Sequence, residues 1–162
     1  MPRIQDLRQK IVDRTYYLSS HAEEEMWADD LERRDIENAI LKGRIEKRMT
    51  RDLRGTRFRI EGPALDGRAA GSTKSTILSS LPYMPWVKSM TCEFCGGETA
   101  IKQIKKQHWL NGKLYIVENV EAEICRECGE KFFHATTLDG IDRLLKGDHK
   151  VKESLEVEGV RF

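Results

Sequence analysis

"TCEFCGG" (91–97) and "EICRECGE" (123–130) decide how this chain is read, because they gather all four of its cysteines into two Cys-x-x-Cys pairs, each followed by glycine. Two such pairs supply four thiolates, the complement of one tetrahedral zinc. A glycine behind each pair lets the chain turn tightly, so that backbone N–H groups face the sulfurs. Two redox pairs or free core cysteines are the alternative, but disulfides do not persist in a reducing compartment, and the duplication favours a metal. The candidate ligands are Cys92, Cys95, Cys125 and Cys128 holding one Zn2+. A closed four-sulfur shell leaves no position for water, which makes such a metal structural and not catalytic.

Outward from the cysteines, "IKQIKKQHWLNGKLYIVENVEAEIC" (101–125) carries two strand-forming runs about an Asn-Gly pair, the strongest short signal for a hairpin. After the second pair, Leu138, Ile141, Leu144 and Leu145 fall at helical spacing and stop at Gly147. "SLEVEGVRF" (154–162) offers Leu155, Val157 and Val160 as a last strand. Met90 stands directly ahead of the first pair, as though a second unit begins there.

Residues 90–162 resemble a YgiT-type zinc finger, the zinc module of MqsA-like antitoxins, through "TCEFCGG", "VEAEICRECGEKFF" and the closing helix and strand. The resemblance implies that the four cysteines bind zinc structurally. The helix-turn-helix with which full-length MqsA-like proteins bind operator DNA has no counterpart here, so no DNA-binding domain is carried over.

The first half reads as αβααββ. Ile4, Leu7 and Ile11 share a helical face; "RTYYLSS" is strand-like; "HAEEEMWADD" and "RRDIENAILKG" are helical, the second ending at Gly43; "RIEKRM" and "TRFRIEG" are strands. Between 42 and 59, Lys42, Arg44, Lys47, Arg48, Arg51, Arg54, Arg57 and Arg59 outnumber Glu46 and Asp52. A basic strand pair of this kind either tracks a phosphate backbone or is a solvated sheet face.

Residues 14–68 are similar to a family of small domains of unknown function related to RelE-like or BrnT-like ribonuclease toxins, with His21, Ala22 and the Gly43 stop in place. Glu25 stands where relatives commonly carry arginine, and Glu32 where a Ser or Thr cap is expected. The resemblance implies metal-free RNA cleavage, in which a 2′-hydroxyl attacks the adjacent phosphate and cations stabilise the phosphorane. The candidate catalytic residues are His21, as base or acid, and Arg57 and Arg59, as phosphate ligands on one strand face. His21 could equally cap its own helical turn. Trp27 and Trp109 read as core or interface residues.

After "DGR" (66–68), the serine-rich "AAGSTKSTILSSLPYMPWVKS" (69–89), with Pro82 and Pro85, reads as a linker where the toxin-like fold requires another strand. Codons for "YMPWVK" read from the third base permit Tyr/His-Ala-Leu-Gly-Glu, and the same shift makes the preceding stretch apolar. The expectation is a frame-shifted fusion that lost a strand and ran into the next start codon.

The chain of 162 residues has a net charge of +1 and 34% charged residues, so any nucleic-acid contact must be a local patch. No signal peptide or membrane-spanning run is evident, which predicts a cytoplasmic protein. The expected architecture is α+β: a toxin-like domain over 1–70, a linker over 71–89 and a zinc ribbon with a short helix and C-terminal strand over 90–162. The expected function is of toxin–antitoxin type, with RNA as a partner of the first domain. The halves are expected to dock within one chain or between two, with Glu153, Glu156 and Glu158 meeting Arg57 and Arg59. A zinc-ribbon interaction module without enzyme activity, binding RNA or a protein, is the other reading.

Overall fold

The computed structural model describes residues 4–49, 57–70, 76–79 and 91–154. It is of α+β type, in the order α1 (Ile4–Val12), β1 (Tyr17–Ser19), α2 (Ser20–Ala28), α3 (Arg33–Lys42), β2 (Arg44–Met49), β3 (Arg57–Pro63), β4 (Ala69–Ala70), β5 (Thr76–Ser79), β6 (Thr99–Leu110), β7 (Lys113–Cys125), β8 (Lys131–His134) and α4 (Ala135–Lys146). No helix among the described residues is long and apolar enough to cross a membrane.

Two sheets organise these elements. β3 lies in one, flanked by β2 and, on its other edge, by β4 and β5. The other runs β1-β8-β7-β6. The helical face read from the sequence is the buried one: Leu7 and Ile11 of α1 and Ile36 and Ile40 of α3 close over Phe58 and Ile60 of β3. Apolar side chains recurring at this period leave water together, each fully buried one contributing about 1.5–3 kcal/mol. α3 comes so close to β3 that a Cβ on Gly62 would lie 2.2 Å from the Ala39 carbonyl oxygen.

The long hairpin turns at Asn111 and Gly112, with φ of 51° and 72°, the left-handed pair that a two-residue hairpin needs. Its alternation is broken by a bulge: Ile104 faces Val120 but Lys106 faces Val117, and Asn119 in the gap has φ 57°. The extra residue turns Val117 and Val120 towards the same core although they are three apart in sequence. Val120, Ala122, Phe133, Leu138 and Ile141 form this second core.

The two halves share elements. β1 pairs with β8, setting Tyr17 opposite His134 and Ser19 opposite Phe132, and so extends the sheet of the cysteine-bearing half. Leu18 packs on the second core, while Ala135 is buried in the first. Arg33 of α3 reaches Asp139 at 2.6 Å and Asp142 at 2.8 Å on α4. Tyr16 and Arg14 both meet Glu37, and Arg14 also approaches Asp139 at 3.4 Å.

One expectation is corrected. Thr76–Ser79, inside the stretch read as a linker, is β5, antiparallel to β3 with Ile77 opposite Arg59 and Leu78 opposite Phe58. β-branched Thr76 and Ile77 outweigh the serines locally, and the open edge of β3 supplies the partner. β5 falls in the stretch where the toxin-like fold is expected to require another strand. The C-terminal strand expected over 155–162 lies outside the described residues, with Glu156 and Glu158.

Candidate metal centre

The four cysteine sulfurs all lie within 4.8 Å of one another. Two like-shaped turns bring them there. Cys92 donates its N–H to the Gly97 carbonyl at 2.8 Å, and Cys125, at the end of β7, donates to that of Glu130 at 2.9 Å. Each turn passes through a glycine in the left-handed region, Gly96 at φ 79° and Gly129 at φ 76°, a conformation that costs a side-chain-bearing residue energy. Cys92 and Cys125 are buried; Cys95 and Cys128 face outward.

Backbone N–H groups point at the sulfurs, from Phe94 to Cys92 and from Gly97 to Cys95, each at 3.4 Å. The backbone N–H of Cys128 helps to hold the Cys125 thiol down at about 6. The sulfurs of Cys92 and Cys128 are 3.6 Å apart and those of Cys95 and Cys125 3.4 Å. A tetrahedron of four thiolates at metal–sulfur bonds of about 2.3 Å has edges near 3.8 Å, so the donor set and its spacing fit a metal ion. All four residues predicted as ligands are brought together.

The candidate catalytic residues border this centre. His21 sits in the first turn of α2, but the cap is Ser19, whose Oγ accepts the Ala22 N–H at 3.1 Å; His21 does not cap its own turn. Its ring lies edge-on to Phe94 in the first cysteine turn, centroids 5.8 Å apart, with Nε2 3.5 Å from Glu25. Arg57 donates to the backbone carbonyl of Glu93. On α1, burial lowers the pKa of Lys10, opposed by the charges of the Glu93 and Asp6 carboxylates. Arg59, two residues along β3, is 3.9 Å from Glu46; of the acidic residues expected to meet these two arginines, Glu156 and Glu158 lie outside the described residues. The second turn reaches α2 as well: Glu130 accepts from Ser20 Oγ at 2.8 Å and from the His21 backbone N–H at 3.1 Å. A carboxylate on the first turn of a helix is favoured by the helix dipole.

At the start of α3, Glu32 itself serves as the cap in a capping box with Asp35, which accepts the Glu32 N–H at 2.8 Å. Sequence reading missed a buried polar row on β6. Lys106 and His108 alternate with exposed residues on the inward face ahead of Leu110, and their charges hid that period-two pattern. Lys106 bonds Glu23 at 2.8 and 2.9 Å; burial raises the Glu23 carboxyl while the ammonium pulls it back down.

A family described as a domain of unknown function (DUF4258) matches residues 18–93, from β1 into the first cysteine pair. The YgiT-type and RelE-like resemblances draw no family match. No curated protein and no solved structure matches the chain.

Proposed function

We propose that this is a toxin–antitoxin-type protein in which a YgiT-type zinc ribbon covers the face of a RelE-like, ribonuclease-toxin-like half. Cys92, Cys95, Cys125 and Cys128 hold one structural Zn2+, which ties the two turns together. The observation that carries the reading is the engagement of both His21 and Arg57 by consecutive residues of the first cysteine turn, Phe94 and Glu93. Glu130 of the second turn fixes the start of the helix that bears His21. A phosphate approaching Arg57 would displace the Glu93 carbonyl, and a substrate hydroxyl approaching His21 would meet Phe94. In the covered state these contacts keep RNA away; uncovered, His21 is placed to move a proton, and Arg57 and Arg59 to hold the phosphate.

A second reading draws on β2, where Arg44, Lys47 and Arg48 are exposed: a non-enzymatic module binding RNA or a protein through this basic strand. RNA cleavage separates the two. The full chain should leave RNA intact, the variant with all four cysteines changed to serine should cut it, and adding His21→Ala should abolish the cutting. Phe94→Ala offers a milder uncovering if the serine variant precipitates. Intact RNA in every form rejects the toxin-type reading and leaves the module.

A further inference from the structure

The four cysteines are arranged for a second chemistry besides holding a metal. Each turn sets one sulfur-bearing residue inside and one outside: Cys92 and Cys125 are buried, Cys95 and Cys128 exposed. Two of the sulfur contacts run from one turn to the other. Exposed Cys95 meets buried Cys125 at 3.4 Å, and exposed Cys128 meets buried Cys92 at 3.6 Å. These two contacts share no sulfur, so both can close into bonds at once.

An accessible thiolate with a second cysteine against it is what two-electron oxidants convert to a disulfide, the accessible sulfur meeting the oxidant and its neighbour resolving the product. Here each exposed sulfur has its resolving partner in the opposite turn. The Cys95 thiolate attacks one oxygen of a peroxide, breaking the O–O bond, so that Cys95 becomes a sulfenic acid and hydroxide leaves. The Cys125 thiolate then attacks the Cys95 sulfur and expels its oxygen as a second hydroxide. Two protons from solvent turn both hydroxides to water; sulfur has lost two electrons and the peroxide has gained them. Cys128 and Cys92 follow the same steps with a second peroxide, and with no thiolate left to hold it the metal passes to solvent.

We propose that Cys95–Cys125 and Cys128–Cys92 are peroxide-sensitive pairs that oxidise to two disulfides, each joining one cysteine turn to the other. Such bonds take over the metal's role between the turns, because a cross-link restrains the chain whether it is made by a metal or by sulfur. The first turn carries Phe94 against His21 and Glu93 against Arg57, and the second carries Glu130 against the start of α2. Oxidation thus removes the metal and leaves these contacts clamped, whereas chelation leaves four free thiols and no clamp. The metal step rests on the zinc half of the proposed function; nothing in it rests on the ribonuclease half.

Hydrogen peroxide added to the full, zinc-loaded chain tests this, with a chromogenic zinc indicator and a thiol assay read together against an untreated sample. One zinc should appear for every four thiols lost, and a dithiol with added zinc should restore both. Unreduced digestion that cleaves after Glu93 and after Arg126 separates all four cysteines, and mass spectrometry should then find Cys92 joined to Cys128 and Cys95 to Cys125. A cyclic diketone that traps sulfenic acids should label Cys95 and Cys128 and spare the buried pair. Hydrogen exchange at residues 17–23 and 57–61 should be as slow in the oxidised, zinc-free chain as in the zinc-loaded one. The proposal is overturned if peroxide leaves the thiols intact, if the bonds form within a turn as Cys92–Cys95 and Cys125–Cys128, if the trap labels the buried pair first, or if exchange at 17–23 and 57–61 speeds on oxidation. Cross-turn disulfides in a chain that carries no zinc as purified would sink the zinc reading and leave the thiol pairs standing; zinc and thiols that both survive peroxide would do the reverse.

Discussion

Buried charge between the two halves is held by a few side chains whose partners decide its sign. Removing the Lys106 ammonium leaves Glu23 buried and unpaired, a loss of about 3–5 kcal/mol for such pairs, whereas replacing both partners by apolar groups is often neutral. Lys106→Ala should therefore lower stability by that amount in urea, and Lys106→Met with Glu23→Leu should recover most of it; equal losses in the two variants would show that the ion pair is not what matters. Asp142 gives the acid limb. Its folded pKa, about 2, lies below the ordinary carboxylate value of about 3.9, so its contribution is present above that value and is lost as pH falls towards 2. Urea midpoints between pH 4 and 2 should fall less steeply for Asp142→Asn than for the native chain, and identical slopes would contradict the assignment.

At the scale of elements, the contact of α3 with β3 has no slack. A methyl group at Gly62 would meet the Ala39 carbonyl, so Gly62→Ala should cost about 1–3 kcal/mol, measured by denaturant unfolding; a neutral result would mean that the helix can shift. Local pattern made much of this legible: the α1 and α3 faces, the Asn-Gly turn, the cysteine turns with their glycines and the α4 stripe all declare themselves within a few residues. What stayed hidden depends on partners far along the chain. Tyr17–Ser19 reads as a strand, but nothing in three residues says that its partner is β8, more than a hundred positions away. Thr76–Ser79 is too short, within a serine-rich stretch, to be read as a strand without the edge of β3. Lys106 and His108 look like surface residues until Glu23 and Asp142 are seen opposite them. The strongest site signal, four cysteines in two spaced pairs, was legible because metal ligation demands that spacing locally.

For the molecule as a whole, shared elements imply shared stability. β1 belongs by sequence to the half that carries His21 and by pairing to the sheet that carries the cysteine turns, and Leu18 and Ala135 each pack in the other half's core. Metal binding in a small ribbon is largely folding energy, so its loss should be felt through β1, Glu130 and Glu93 as far as α2 and β3. Hydrogen exchange of the full chain, with metal bound and after chelation, tests most directly whether the cysteine turns hold down the candidate catalytic face. The account predicts that chelation speeds exchange at residues 17–23 and 57–61 together with the cysteine turns at 92–97 and 125–130. Fast exchange confined to the cysteine turns, with 17–23 and 57–61 as protected as before, would contradict it.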